Sequence, residues 1–299
     1  MRITFIATSS ILLWAGSACA QNVGDTVIVI RHCEIKTGDA VVDKAFPGLS
    51  LKVNAVNGKW LWVSNGIPGW IDSGNTASSE QALAFFSEII RLEPVAPAYG
   101  ARGIVWYHQK DYDAAIADFS EAIRLNPAEA AYYNSRGLCW NHSQEWDRAI
   151  ADFNAAIRLS PTYRMYSNRG QAWAGQHDYG RALTDFDEAI RQEPKYATAH
   201  QNAALLRAAC PDAGFRDGQK AVRQATTACK LSSWQDASQL EILAAAQAET
   251  GDFTEAVKWQ EKALGLIPES QVAESRSRLA LYLSRKPYRL EKNNGPPRG

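Results

Sequence analysis

The sequence has no excess of charge of either sign, few cysteines and no long internal hydrophobic run. Its 299 residues include 32 basic and 32 acidic side chains, so no net field favours nucleic acid or an anionic lipid surface. No internal stretch is long and apolar enough to cross a bilayer as a helix. With 46% hydrophobic residues, the composition excludes a disordered or collagen-like chain. These absences indicate a globular protein with no nucleic-acid partner and no transmembrane segment.

Motifs of common catalytic sites are missing as well. The sequence contains no G-x-x-x-x-G-K-[ST] loop, no H-E-x-x-H helix and no G-x-S-x-G elbow. Cys139 and His142 are three residues apart on one predicted helix, but two ligands without a third make a poor metal site. We therefore predict no enzyme activity, no cofactor and no metal.

The cysteines form no disulfide framework. Cys33, Cys139, Cys210 and Cys229 show no C-x-x-C pair and no compact spacing, which favours buried thiols. Cys210 ends one predicted helix and Cys229 lies near the end of the antiparallel helix that follows. Those ends are on the order of 15–18 Å apart, whereas a disulfide needs Cα atoms within about 7 Å. We predict no bridge between them.

Residues 1–20 have the three parts of a secretory signal peptide. Arg2 precedes an apolar run over residues 3–14, and the segment ends in Ala18-Cys19-Ala20. This pattern predicts export, to the periplasm or beyond the cell. An N-terminal core helix is one alternative. Lipoprotein processing at Cys19 is another alternative. Gly16 argues against it, because lipoprotein signals normally have a branched aliphatic residue at that position.

Residues 23–75 read as short strands. The runs TVIVIRHC, LKVNAV and KWLWV are rich in β-branched and aromatic residues, and Asn57-Gly58 separates the last two as a hairpin signal. Strands this short can close a small all-β barrel. The segments VGD, NGKWLWV and GWI resemble the bacterial Src-homology-3-like domain. The resemblance implies a non-catalytic module that binds peptides or cell-wall components.

Three tryptophans are candidates for a ligand surface of this barrel: Trp60, Trp62 and Trp70. Trp60 and Trp62 alternate with Leu61 and Val63, so one pair faces the core and the other faces outward. An exposed tryptophan pair can stack on a peptide or a sugar. The alternative is that all three fill the core.

From residue 79 onward the sequence repeats. The prolines at 127, 161 and 194 close three copies, each with aromatic, Gly and Trp residues followed by Ala, Phe and Ala: Tyr99, Gly103, Trp106, Ala115, Phe119, Ala122, and their equivalents in residues 130–162 and 163–196. Within a copy the two triplets fall on single stripes of two helices. Gly103 and Ala115 let those helices approach closely, and Phe119 fills the space between them. Such thin helix pairs bury their stripes only by stacking in series.

This pattern is similar to the tetratricopeptide repeat family. The resemblance implies a mainly α fold, a right-handed superhelix of helix pairs that forms an α-solenoid. We predict a solenoid over 79–268, with a helix at 79–93, repeats at 96–129, 130–162 and 163–196, a divergent unit at 197–236 that contains an unexplained insertion at 210–218, and a weaker copy at 237–268.

The C-terminal region has two predicted parts. Residues 269–284 form a capping helix, amphipathic through Val272, Leu279, Leu281 and Leu283. The basic, Pro/Gly-containing residues 285–299 form a disordered tail that is solvated or contacts an anionic surface.

Charged residues also recur at the repeat period. These are an arginine set, Arg102, Arg136 and Arg169, and an aspartate set, Asp118, Asp152 and Asp185. Repetition at the stacking period predicts ladders of surface or inter-repeat ion pairs, each contributing about 0–1 kcal/mol, instead of catalytic carboxylates.

The family resemblance implies a concave groove lined by the second, fifth, ninth, twelfth and thirteenth positions of each first helix. In this sequence the candidates are Gly100, Ile104, Tyr107, His108, Asn134, Leu138, Asn141, His142, Arg164, Ser167, Gln171, Gln201 and Leu205. Such a set offers hydrogen-bonding groups and apolar contacts to an extended peptide; the alternative is a merely solvated surface. We expect an exported, non-enzymatic scaffold that binds a protein or peptide partner. The alternative is a cell-wall peptide module in the barrel, with the solenoid as spacer.

Overall fold

The computed structural model describes residue 22 and residues 24–37, 40–57, 59–64 and 68–291. Across those ranges no helix is both long enough and apolar enough to cross a membrane. The predicted signal peptide at residues 1–20, with Cys19, lies outside the described residues. The chain divides into two compact units, Met1–Cys139 and Trp140–Gly299.

The first unit begins with an antiparallel sheet. Its strands are β1 (Thr26–Val29), β2 (Cys33–Thr37), β3 (Ala40–Ala45), β4 (Ser50–Asn57), β5 (Trp60–Ser64), β6 (Gly69–Asp72) and β7 (Thr76–Ala77). They pair in the order β3-β2-β6-β5-β4-β1-β7. The run TVIVIRHC, predicted as one strand, is divided between β1 and β2. The Src-homology-3 resemblance of this sheet stays a prediction.

The predicted hairpin at Asn57-Gly58 is present in the pairing of β4 with β5. Asn57 pairs with Trp60, the register continues to Ala55 opposite Trp62, and it then shifts by one residue so that Val53 lies opposite Val63. Alternate residues of each strand point to one face, where Leu51, Val53, Leu61, Val63 and Ile71 form a buried core. The β-branched and leucine side chains of this face account for the sheet.

The sheet also packs on the first helices of the same unit. Ile28, on the face opposite the sheet core, is fully buried together with Ala82, Phe86, Ala101 and Val105. Because Ile28 would be exposed without those helices, the sheet is not an independent module on a flexible linker.

Helices account for nearly all of the remaining described chain. They are α1 (Ser79–Leu92), α2 (Ala96–His108), α3 (Tyr112–Leu125), α4 (Ala130–His142), α5 (Trp146–Leu159), α6 (Tyr163–Gly175), α7 (Tyr179–Gln192), α8 (Ala197–Ala209), α9 (Gly218–Leu231), α10 (Ala237–Glu249), α11 (Phe253–Leu264) and α12 (Ala273–Leu283). Consecutive helices pack against each other from α1 to α3 in the first unit and from α5 to α12 in the second.

The predicted close approach of paired helices is confirmed. A Cβ atom on Gly103 would lie 2.9 Å from the Phe119 ring, and one on Gly170 would lie 2.7 Å from the Phe186 ring. Phe119 and Phe186 are buried with Ala115 and Ala182. Each aromatic ring therefore occupies the space that the facing glycine leaves.

The divergent unit replaces this arrangement with small residues. Helix α8 carries Ala203, Ala204, Ala208 and Ala209, all completely buried. The insertion after it contains a short 3-10 helix at Ala213–Phe215. Its Phe215 ring lies 6.0 Å from that of Tyr179 and packs on the main apolar cluster of the second unit. The insertion thus packs against the core through the half-buried Phe215.

The capping helix is present, but its buried face differs from the prediction. Leu283 is 66% exposed, whereas Val272, Ser275, Arg278 and Tyr282 are buried. The helical period places Ser275, Arg278 and Tyr282 on the stripe that faces α11. A buried arginine on this stripe is stabilised by ion pairs to Glu241 and Glu274.

The prediction of a disordered tail at 285–299 is wrong for residues 285–291, and residues 292–299 lie outside the described residues. Leu290 is buried to 8% exposure. Its backbone N–H donates to Ala209 O at 2.8 Å. Tyr288 packs against two apolar clusters. Two apolar side chains therefore hold this basic segment, here called the C-terminal strap (residues 285–291), against the helices.

The described cysteines are thiols. Cys33, Cys210 and Cys229 are free, and Cys139 is buried beside Ala115 and Phe119. Burial raises the pKa of Cys33 and of Cys229 to about 11. Both thiols are therefore protonated near neutral pH and are weak nucleophiles.

Candidate partner-binding surfaces

Buried ion pairs fix the first helices of the repeats. Arg102 donates to both oxygens of Asp118, at 2.8 and 2.7 Å, and Arg169 does the same to Asp185 at the same distances. These hydrogen bonds raise the pKa of each guanidinium. The aspartates are nearly inaccessible, so the prediction of surface pairs is wrong: the pairs lie inside the helix packing.

Each of these arginines also reaches the preceding helix pair. Arg102 donates to Ser87 Oγ at 2.9 Å, and Arg169 donates to Asn154 Oδ1 at 2.6 Å. Arg136 donates to Ser120 Oγ at 3.0 Å. The guanidinium groups of Arg102 and Arg169 therefore each link three helices and hold those first helices in a fixed orientation. These ion pairs lie within one repeat, and the links between repeats are hydrogen bonds to uncharged side chains instead of the predicted inter-repeat ion pairs.

The divergent unit keeps this link with a displaced arginine. The position of Arg169 is Ala203 in α8, but Arg207, one turn later, donates to Asp187 at 2.7 Å and to Gln224 at 2.8 Å. Asp187 and Gln224 occupy the repeat positions of Asn154 and Asp185. Spacing alone did not identify Arg207, because the side chain comes from a different helical position.

In the first unit, the sheet and a neighbouring helix cover part of the predicted groove. A Cβ atom on Gly48 would lie 3.0 Å from Ala101 O and 3.2 Å from Ile104 Cβ, so the turn before β4 touches α2. Gly100 is closed by the Tyr132 ring, 2.5 Å from where its Cβ would be. Gly100 and Ile104 therefore take little part in an open surface.

Besides the half-buried Ile104, four predicted groove residues of the first unit remain at least partly accessible. Tyr107, Asn134 and Leu138 are half-buried, and His108 is exposed. The Tyr107 ring lies 5.8 Å from the rings of both His108 and Tyr112. Burial raises the pKa of Tyr107 to about 12, so its phenol is neutral near pH 7. Asn134 and Leu138 share one face of α4 through their four-residue spacing.

In the second unit the predicted residues are less uniform. Asn141, Gln171 and Gln201 are half-buried, and His142 and Arg164 are exposed. The Arg164 guanidinium lies 5.3 Å from the Tyr163 ring and 5.7 Å from the Tyr196 ring, so its charge rests on aromatic faces. Gln201 reaches Ser238 Oγ at 3.4 Å.

Leu205, also a predicted groove residue, is buried in the same cluster as Leu290 of the C-terminal strap. The sequence analysis did not predict that the C-terminal strap covers Leu205. The available signal was the pair Tyr288 and Leu290, two apolar residues on either side of Arg289 in a basic segment. At this end of the solenoid the first-helix surface is covered by the chain itself.

The β5 tryptophans confirm the predicted alternation. Leu61 and Val63 are buried, Trp60 is 37% exposed and Trp62 is half-buried. Lys59 lies 5.3 Å from the Trp60 ring. The Trp70 side chain lies outside the described residues, so its predicted place in this surface stays a prediction.

The described residues contain no group of three or more His, Cys, Asp or Glu side chains that could hold a metal ion. Cys139 is buried in an apolar cluster, whereas His142 is exposed at the end of the same helix.

Comparison with known proteins identifies the repeats. The tetratricopeptide repeat family matches residues 77–130 and 101–164, and again residues 241–270. No curated protein sequence matches this chain.

Solved structures share the fold at low sequence identity. PilW, described as a widely conserved type IV pilus biogenesis factor, superposes with a TM-score of 0.59 and 18% identity over 67% of this chain and 90% of PilW. The Cut9-Hcn1 hetero-tetramer of the APC/C superposes with a TM-score of 0.56 and 15% identity over 69% of this chain and 46% of that chain. YrrB, described as a TPR protein with an unusual peptide-binding site, superposes with a TM-score of 0.51 and 16% identity over 65% of this chain and 98% of YrrB.

These likenesses show the fold. The chain carries tetratricopeptide repeats and is mainly helical, with its helices in a tetratricopeptide-like solenoid arrangement after a small antiparallel sheet.

Proposed function

We propose that this protein is an exported, non-enzymatic adaptor that holds an extended segment of a partner protein on the first-helix surface of its repeats. The observation that carries the proposal is the partly open set of Tyr107, Asn134 and Leu138. These residues lie on first helices that the half-buried Arg102 and Arg136 tie to neighbouring helices. An amide, a phenol and an aliphatic side chain together suit a peptide backbone and its side chains.

Similar proteins support this proposal at the level of the family. Tetratricopeptide scaffolds present helix faces to other proteins, and YrrB is described as having a peptide-binding site. Export rests on the pattern of residues 1–20, with Arg2, a short apolar run and the Ala-Cys-Ala end.

Affinity capture from an extract of the source cells tests the surface. We expect Asn134→Ala with Leu138→Ala to reduce capture of the partner at least tenfold, since each loses about 1–2 kcal/mol of contact. The matched control is Leu125→Ala with Asn126→Ala, which removes the same side chains from the exposed end of α3. Equal capture by both double variants, with unchanged helicity, would contradict the proposal.

A second candidate is the tryptophan pair of β5. The outward Trp60, with Lys59 beside it, favours a cell-wall peptide or sugar as a ligand of the sheet. Sedimentation with purified sacculi tests it in the full chain, because Ile28 of the sheet is buried against helices. Trp60→Ala with Trp62→Ala should abolish sedimentation, and no sedimentation of the unmodified chain would reject this ligand.

A further inference from the structure

We infer that the C-terminal strap is a resident ligand of the first-helix surface of α8 and α10, and that this surface accepts an extended partner segment with an aromatic–arginine–aliphatic triplet. The inference rests on the proposed function and names the partner chemistry at one end of the solenoid. Residues Tyr288, Arg289 and Leu290 show that chemistry in place.

The strap lies at positions that are predicted to bind partners. Ala208 and Ala209 are the twelfth and thirteenth residues of α8, the positions that Tyr107 and His108 hold in α2. The Leu290 N–H donates to Ala209 O at 2.8 Å, and Arg289 Nη1 donates to Ala208 O at 3.3 Å. The carbonyl groups in the last turn of a helix receive no hydrogen bond from within the helix, so they can accept hydrogen bonds from donors such as these.

A carboxylate at the equivalent position of α10 receives the arginine. Glu249 is the thirteenth residue of α10, is only 16% exposed, and pairs with Arg289. Arg216 of the insertion also donates to Glu249, at 3.1 Å. Because Arg216 stays with the helices when the strap leaves, Glu249 keeps one partner and remains positioned for an incoming arginine.

Apolar contacts complete the recognition. In an extended segment Tyr288 and Leu290 point to one side and Arg289 to the other. Tyr288 lies 4.5 Å from the Arg278 guanidinium and packs on apolar clusters of α10–α12, while Leu290 joins Leu205 and Ile242. The small side chains of Ala208, Ala209 and Ala245 let the strap backbone come close to the helices. Main-chain hydrogen bonds with pockets for alternate side chains characterise extended-peptide recognition.

The strap is suited to exchange because it is short. It follows α12 directly, so it acts at a high local concentration and keeps weak ligands out. A partner segment of the same chemistry binds only when the strap has left, which lowers its apparent affinity in proportion to the open fraction.

Fluorescence anisotropy with a labelled peptide of sequence Lys-Pro-Tyr-Arg-Leu-Glu, taken from residues 286–291, tests the inference on the full chain. We expect binding at least about tenfold tighter to an Arg289→Glu variant than to the unmodified chain. Adding Glu249→Gln to that variant should remove the gain. Lys286→Glu, an exposed position of the strap, is the matched control and should bind like the unmodified chain.

Arg289→Glu is designed to detach the strap and is here called a release variant; a second release variant provides an independent test. Tyr288→Ser with Leu290→Ser should also expose the site, and circular dichroism establishes which release variants remain folded. Arg289→Glu leaves the apolar side chains in place, so it covers the case in which the double variant unfolds. A folded release variant that binds the peptide no better than the unmodified chain overturns the inference, as does equal binding of a peptide with Glu in place of its Arg.

Two further outcomes separate this inference from the proposed function. A dimer of the unmodified chain in light scattering, together with monomeric release variants, would assign the site to the strap of a second copy and would overturn the partner assignment. If the release variants fail to bind peptide while Asn134→Ala with Leu138→Ala still weakens partner capture, the inference is wrong and the proposed function stands.

Discussion

Single glycines decide how closely the paired helices approach. A Cβ atom on Gly170 would lie 2.7 Å from the Phe186 ring and 3.2 Å from Ala182 O, which is backbone and cannot turn away. Overpacking of this kind costs about 1–3 kcal/mol, while alanine returns up to about 1 kcal/mol of helix propensity. We therefore expect Gly170→Ala to lower the free energy of unfolding, measured by urea denaturation.

Gly180 provides the matched control for that substitution. It lies in α7, and its added Cβ would be no closer than 3.4 Å to the Phe215 ring, an ordinary contact. Gly180→Ala should leave the free energy of unfolding unchanged or raise it by up to about 1 kcal/mol. Equal losses in both variants would show that the aromatic contact is not what requires glycine at 170.

Residue spacing predicted these contacts because they repeat. Gly103 and Phe119 sit at fixed distances within a copy, so their meeting followed from helical geometry alone. The link made by Arg207 could not be predicted in this way. Its guanidinium reaches Asp187 and Gln224 from one turn further along the helix, and only coordinates reveal that substitution of position.

At the scale of helices, the residues at the N-cap of the second helix of a repeat differ in whether their side chain caps the helix. Asp178 caps α7 by accepting a hydrogen bond from the Arg181 N–H, whereas Glu145, at the same position before α5, makes no side-chain cap. Asp178→Ala should cost about 0.5–2 kcal/mol of unfolding free energy, and Glu145→Ala less than about 0.5 kcal/mol.

The cap also predicts a pH dependence. Hydrogen bonds from Arg181, first from its side chain and then from its backbone, lower the pKa of Asp178 in the folded protein. Its contribution is therefore present above the unfolded pKa of about 3.9 and is lost as pH falls through the lower folded value. The difference between the unmodified chain and Asp178→Ala should shrink below about pH 4 in urea titrations. A difference that stays constant to pH 2 would contradict a capping role.

Element boundaries were largely predictable, with two exceptions that share a cause. The run at 26–33 was expected as one strand but divides between β1 and β2, and the strap was expected to be disordered. Both segments are short, and tertiary contacts decide their conformation: Ile28 packs on Ala82 and Phe86, and Leu290 packs beside Leu205. The local sequence of these segments does not show which distant residues they will contact.

At the scale of the whole molecule, the chain covers parts of its own first-helix surfaces. The Gly48 turn touches Ile104 in the first unit, and the strap fills the surface beside Leu205 in the second. The partly open set of Tyr107, Asn134 and Leu138 carries the proposed function. Which positions would remain accessible was not predictable, because the covering segments belong to the sheet and to the C-terminal region.

Site-specific photo-crosslinking measures partner contact at that surface most directly. A photoreactive amino acid replaces Leu138 on α4 in one protein and Leu125, an exposed leucine at the end of α3, in another. With both proteins folded and mixed with cell extract, the account predicts a crosslinked partner at position 138, within a short contiguous peptide by mass spectrometry, and none at 125. A partner that crosslinks at 125 and not at 138 would contradict it.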